Sequence, residues 1–284
     1  MKTPDVRFWV PICCAFVFGF LLHAALNMDP VRRNVVASAN MMKFAKHAAT
    51  SKANPEAAST FLTLARNLGV DKVMAHSYHH AYAKYLEPIR MNKLNFLEIG
   101  LGCGMADPRN PTVGAGLSMK LWTQFLPNTK QWMFEFNRVC AEQLARPVLG
   151  DHLIVGDQSS IADLTGAINK IGVFDIVIDD GGHSMDQQLI SLQVLFPAVR
   201  PGGYYFVEDL ETSFLPQYGG SDTAHNRGVF ASPTTVQYLS NLVKGLTDKR
   251  AVQNDPSALQ LLEFTQSIDC FKEICVLTRN SRTI

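Results

Sequence analysis

Between Leu94 and Val207 five short apolar runs alternate with four helix-patterned stretches, and this alternation limits the fold more than any other feature of the chain. The strand-like runs are Leu94–Ile99, Gln131–Phe136, His152–Val155, Phe174–Ile178 and Tyr204–Val207. The helical stretches are Leu117–Phe125, Arg138–Ala145, Ser160–Ile168 and Met185–Val199. Such a succession builds βαβ units, and so a mainly parallel sheet with helices on both faces. Pro201-Gly202-Gly203 reads as a tight turn between the fourth helix and the fifth strand, Thr234–Leu246 as a further helix, and Ile268 to Thr278 as a closing hairpin. The fold class expected is α/β, with a doubly wound, seven-stranded sheet. A helical lead-in at residues 55–93 precedes it, in which Phe61, Leu62, Leu64, Ala65 and Leu68 share one side before Gly69.

In an open parallel sheet, chemistry gathers at the carboxyl ends of the strands. Two acidic pairs stand there, Asp179-Asp180 and Glu208-Asp209, with His183 three residues past the first. Carboxylates at two strand ends can converge on one divalent cation, with the histidine beside it. Glu98-Ile-Gly-Leu-Gly-Cys-Gly104 runs from the first strand into a glycine loop, where the backbone can approach a ligand closely. By itself that loop also fits a dinucleotide site or a plain turn. Glu135 ends the second strand, where a carboxylate can accept both hydroxyls of a ribose. Asp157 ends the third, beside the expected adenine edge. A net charge of +1 gives no basic stripe, so nucleic acid is not an expected partner.

The amino-terminal part differs in character. Phe8 to Leu26 holds no Asp, Glu, Lys or Arg, about the length that spans a bilayer core. It is longer than the usual core of a signal peptide, which favours an uncleaved anchor over a cleaved signal. Residues 1–26 are therefore expected as a signal-anchor or transmembrane segment and residues 27–54 as a stem. Lys2 and Arg7 precede the span, and Arg32, Arg33, Lys43 and Lys46 follow it, which on charge alone leaves the globular part in the cytoplasm. The layout of segment, stem and globular domain matches lumenal Golgi enzymes instead. The expectation is a single-pass membrane protein facing the ER or Golgi lumen, or a secreted one if the segment is cleaved. Cys270 and Cys275 flank a plausible hairpin turn and can face each other across it; a disulfide would suit an oxidising compartment, but two reduced cysteines are the expectation.

The glycine loop, the later acids, the Phe-Asp-Ile-Val-Ile-Asp-Asp-Gly strand and the Pro-Gly-Gly segment together resemble the S-adenosylmethionine-dependent methyltransferases of the doubly wound, Rossmann-like type, from about Lys72 to Thr278. Asp179-Asp180-Gly181-Gly182-His183, Glu208-Asp209 and Tyr218-Gly219-Gly220 resemble, more narrowly, the metal-dependent sugar O-methyltransferases of macrolides and related glycosides, and their fungal relatives. Asp71-Lys72 through His76, Tyr78 and Tyr82 is also similar to that group. The resemblance implies a methyltransferase domain at 94–284, with S-adenosyl-L-methionine and Mg2+ as cofactors. It implies Glu98, Gly100, Gly102, Glu135, Asp157 and Asp179 at the cofactor, Asp180, Glu208 and Asp209 on the metal, His183 as base, and Tyr218 near the acceptor. Met105 to Gly114 departs from the simplest pattern as an insertion, so Gly104 is left out of that set.

Other roles stay open for several of these residues. Asp179 can be structural, Glu208 or Asp209 can cap the segment that follows, and His183 can cap a helix starting at Ser184. His76, His79 and His80 suit a solvated or substrate-facing surface better than a zinc site. The expected partners are a small-molecule or glycoside acceptor, a membrane through the first segment, and a further copy of the chain. The function expected is methyl transfer to a hydroxyl of a sugar or glycosylated molecule. Alternatives are a catechol-like phenol O-methyltransferase, or a non-catalytic, membrane-tethered scaffold of the same fold. A nicotinamide oxidoreductase fits less well, because the two acidic strand ends then have no task.

Overall fold

The strands expected from the alternation pair into one sheet, in a computed structural model that describes residues 59–107, 109–110, 112–221 and 233–281. They are β1 Asn95–Ile99, β2 Lys130–Glu135, β3 Leu153–Val155, β4 Phe174–Asp179, β5 Val199–Val207, β6 Thr265–Phe271 and β7 Ile274–Arg279. Their order is β3-β2-β1-β4-β5-β7-β6; the first five run parallel, and β7 is antiparallel to both β5 and β6. This is the doubly wound, mainly parallel sheet, with the closing hairpin added at one edge.

Helices in chain order are α1 Thr60–Leu68, α2 Asp71–Met74, α3 His79–Tyr85, α4 Leu117–Phe125, α5 Arg138–Leu144, α6 Arg146–Leu149, α7 Ile161–Ile171, α8 Met185–Leu195, α9 Thr235–Thr247 and α10 Pro256–Phe264. Local chemistry explains several starts. Ser184 and Gln187 form a reciprocal cap on α8, and Thr234 and Gln237 do the same on α9, each satisfying amides with no partner inside the helix. Ser184, not His183, is thus the residue that caps α8. Asp255 caps α10 ahead of Pro256, a start that the sequence reading passed over. Pro201-Gly202-Gly203 is no turn before the fifth strand. It lies inside β5, where the register against β4 slips, and Gly202 takes a φ of 75°.

Side chains alternate across a strand, so each strand serves two core layers. Leu97, Val177, Tyr205 and Val207 face α7 to α10. Phe96, Ile176, Ile178 and Phe206 face the other way and pack with Phe61, Tyr82 and Trp122 of α1, α3 and α4. The lead-in helices thus help cover one face of the sheet.

Among the described residues two disulfides are formed. Cys270–Cys275 joins an in-register pair of β6 and β7, so these cysteines are bonded, contrary to expectation. Cys103–Cys140 ties the glycine loop after β1 to α5 and closes a sequence separation of 37. By chain entropy such a closure stabilises by about 4 kcal/mol. Replacing both cysteines with serine is expected to lower the unfolding temperature by roughly 10 °C. A calorimetric scan checks this, and an unchanged temperature would mean that the loop is held by its other contacts.

The expectation of a single-pass membrane protein is withdrawn. No helix among the described residues is long and apolar enough to cross a membrane. Phe8 to Leu26, on which the anchor rested, and the stem lie outside the described residues.

Candidate active site

The last ladder pairs of three neighbouring strands lie level with one another: Ile99 pairs with Asp179, and Asp179 with Val207. The next residues, Gly100, Asp180 and Glu208, therefore emerge side by side. The Asp180 amide donates to the Ile99 carbonyl and the Glu208 amide to that of Asp179, at 3.1 and 3.0 Å. Alternation then separates the acids. Glu98, Asp180 and Glu208 point to the face covered by the lead-in helices, whereas Asp179 points to the opposite one.

Asp179 is fully buried on that far side. Its carboxylate accepts from Gln158 Nε2 at 2.5 Å, from the Tyr205 hydroxyl at 2.8 Å and from Ser191. Burial pushes its pKa up to about 6, against the pull of these donors. Its place is a network beneath the site.

Asp180, His183 and Asp209 meet at the half-buried edge. His183 Nε2 lies 3.0 Å from Asp209 Oδ2 and 4.0 Å from Asp180 Oδ1. One ligand atom from each of the three fits within 4.8 Å of the others. His183 and Asp209 both hold left-handed backbone, with φ of 57° and 52°, which is uncommon and costly outside glycine. The Thr212 hydroxyl stitches the two strained residues together, 3.0 Å from the His183 carbonyl and 2.7 Å from that of Asp209. The Tyr78 hydroxyl donates to Asp209 Oδ1 at 2.5 Å. His76 Nδ1 lies 3.0 Å from Glu273 and its Nε2 3.7 Å from Asp209, so this histidine belongs to the acidic edge. His79 and His80 pack on one another instead.

Under this edge lies a second, buried tier. Lys72 Nζ donates to Asp180 Oδ2 at 2.5 Å and lies 2.8 Å from both oxygens of Glu208. Tyr82 donates to Glu208 as well. Burial and then the charge of Asp180 drive the Glu208 carboxyl well above the usual range, with Lys72 opposing them. Burial alone would lower the Lys72 ammonium, but Asp180, Glu208 and Glu98 outweigh it and hold the proton on.

Glu98 accepts from Trp122 Nε1 at 2.8 Å and Ser118 Oγ at 3.1 Å, and burial raises its pKa to about 7. A carboxyl raised on folding adds stability that is full below its unfolded value of 4.5 and lost as pH climbs through 7. In chelator, wild type is expected to lose on the order of 3 kcal/mol from this group over that range. Glu98→Gln should flatten that slope in urea unfolding; an unchanged slope would place its source elsewhere.

A cavity of about 260 Å³ opens at the same strand ends, lined among others by Gly100, Gly102, Glu135, Gly156, Gln158, Asp180, Gly181 and Gly182. Five glycines stand in its lining, and at Gly100, Gly156, Gly181 and Gly182 a Cβ would come within 3 Å of a neighbouring atom. A Cβ on Gly100, whose φ is 96°, would stand 1.9 Å from the Asp180 carbonyl oxygen. Glu135 reaches the cavity with its carboxylate accepting from the amides of Leu101 at 2.8 Å and Asn137 at 2.7 Å. Of the residues expected at the cofactor, Gly100, Gly102 and Glu135 line this space. Glu98, Asp157 and Asp179 do not; Asp157 turns back on its own loop to accept from Ser159. Tyr218 is half-buried on a short turn, outside the lining. Gln158 is a residue that sequence reasoning passed over, and Lys72 was noted only within a resembling segment, with no role given to it.

No protein-family model matches the chain. It is 34% identical over 183 residues to the 8-demethyl-8-α-L-rhamnosyl tetracenomycin-C 2′-O-methyltransferase of Streptomyces olivaceus, covering 64% of this chain and 44% of that one. It is 33% identical over 145 residues to the demethylmacrocin O-methyltransferase of Streptomyces fradiae, covering 51% and 34%. The chain thus spans less than half the length of these curated relatives. Among solved structures it superposes on the MycE methyltransferase of mycinamycin biosynthesis in complex with Mg and SAH, with a TM-score of 0.65, 24% identity, and coverage of 78% of this chain and 53% of that one. The chain has the fold of the class I S-adenosylmethionine-dependent methyltransferases, and its matched relatives in sequence are sugar O-methyltransferases.

Proposed function

We propose that the chain is a magnesium-dependent O-methyltransferase that moves the methyl group of S-adenosylmethionine to a hydroxyl of a sugar or glycosylated small molecule. The observation that carries this is that Asp180 is shared. It lines the glycine-walled cavity and also forms the acidic edge with His183 and Asp209. A methyl donor in the cavity and a hydroxyl at the edge would meet across one residue.

The donor set suits magnesium, which takes oxygen ligands and keeps several waters. Asp180 and Asp209 would hold it, with Glu208, the third acid of the resemblance, set just beneath on Lys72 and Tyr82. Bound magnesium would lower the pKa of a hydroxyl, and bound S-adenosylmethionine would supply the methyl. The remaining work falls to the chain. His183 Nε2 faces the acidic edge, where it can take the hydroxyl proton. Asp209, steered by Tyr78 and Thr212, fixes that edge. Gly100, Gly181 and Gly182 let the two sites approach each other, a matter of positioning worth several orders of magnitude.

The test uses the full chain with labelled S-adenosylmethionine and acceptors carrying rhamnosyl or olivosyl groups, since names of matched relatives contain these sugars. Label should enter a glycoside with magnesium and vanish with chelator. Transfer to catechols alone would move the acceptor to phenols, and no transfer to any hydroxyl would sink the proposal.

A further inference from the structure

Lys72 has no part in that chemistry, yet its ammonium stands at the centre of the acids. The residue is 1% exposed, on the short helix α2. Besides its bonds to Asp180 and Glu208, its Nζ lies 3.8 Å from Glu98 Oε1. These three carboxylates come from, or just past, β1, β4 and β5, so one lysine meets the ends of three neighbouring strands. Carboxylates this close repel strongly away from water unless a cation or protons intervene. The lysine also decides how Asp180 is turned. Oδ2 is bound to Nζ, which leaves Oδ1 toward His183 and Asp209.

Building on the magnesium-dependent reading above, we propose that Lys72 is a positioning residue, a built-in counter-cation that assembles the carboxylates and aims Asp180 Oδ1 at the metal position before any metal arrives. With the lysine present the acidic end is already neutralised in part, and folding does not depend on magnesium. Without it the acids must find another cation, and magnesium becomes the candidate to hold them. Loss of the ammonium removes its repulsion of an incoming dication and leaves the acids uncompensated, which outweighs the lost aim of Asp180, so magnesium should bind more tightly.

The experiment compares wild type, Lys72→Arg and Lys72→Met by thermal unfolding in chelator and in millimolar magnesium, with magnesium titrated calorimetrically into each. In chelator, Lys72→Met should unfold roughly 10 °C below wild type, as expected when one partner of a buried ionic cluster is removed. Magnesium should return most of that loss while raising wild type by only a few degrees, because a tighter ligand stabilises more. Lys72→Arg, which keeps the charge, should stay close to wild type. A Lys72→Met protein that unfolds at the wild-type temperature in chelator would overturn the proposal, as would a loss that magnesium does not restore. If Lys72→Met does not fold, Lys72→Met with Glu208→Gln decides. Recovery of folding supports the counter-charge role, and continued failure means that the lysine serves packing instead. Absence of any magnesium heat in wild type would sink the metal reading separately, while the unfolding temperatures in chelator still settle whether Lys72 neutralises the acids.

Discussion

Replacing His183 with alanine is expected to lower turnover by about 10²–10⁴-fold, the usual worth of a positioned general base. Titrations of the methyl donor and of magnesium should be unchanged. The geometry dictates that division. His183 Nε2 faces Asp209 and Asp180 across the acidic edge, and the histidine is absent from the cavity lining. Its backbone takes a φ of 57°, a region that alanine tolerates less well than histidine, so alanine also adds strain. His183→Asn separates the two effects, because asparagine tolerates left-handed backbone. It should lose turnover as alanine does while unfolding near the wild-type temperature. Full turnover in either variant would remove the histidine from the chemistry and leave its position to be explained by Thr212 alone.

Gly100→Ala is the second large effect. Its new methyl would overlap the Asp180 carbonyl, and backbone cannot rotate out of the way as a side chain can. The ends of β1 and β4 must part, at the very place where cavity and acidic edge share Asp180. The expected result is a loss of at least about 100-fold in affinity for the methyl donor, about 3 kcal/mol, together with a lower unfolding temperature. Gly150→Ala serves as control. Gly150 also has positive φ, at 54°, but a Cβ there meets nothing within 4 Å. It should cost about 1–3 kcal/mol of stability through backbone strain and leave donor binding untouched. Equal effects in the two variants would show that backbone strain, not closure of the cavity, governs binding.

How much of this was legible beforehand follows from the kind of signal each feature leaves. Strands β1 to β4 stand out because buried parallel strands are nearly continuous apolar runs. The start of β5 was hidden because Pro201-Gly202-Gly203 reads as a turn unless the partner strand is known to tolerate a slipped register. Asp180, Glu208 and His183 were visible as charges at strand ends, where a buried charge needs a reason. The opposite facing of Asp179 and Asp180 follows from two-residue alternation, a signal that was present and unused. Lys72 stood in the family-like segment Asp71 to Tyr82, but its role was not legible, since a lone lysine on a short helix reads as a solvated face and only the packing of α2 over three strand ends buries it. Cys103 and Cys140 are similar, because a separation of 37 residues carries no pairing information until β1 and β2 are neighbours. Asp157 stands after β3 as expected, and its Oδ1 accepts from Ser159 within its own loop, a bond that its place in the sequence does not announce.

The most direct test of the central claim is calorimetric titration of S-adenosylmethionine into the full chain, first in chelator and then with magnesium, followed by magnesium into Asp180→Asn. The account predicts saturable one-to-one binding of the donor in wild type and a magnesium heat that disappears in the variant. A well-folded wild-type chain that takes up neither ligand would contradict it and leave the methyltransferase fold as a non-catalytic scaffold.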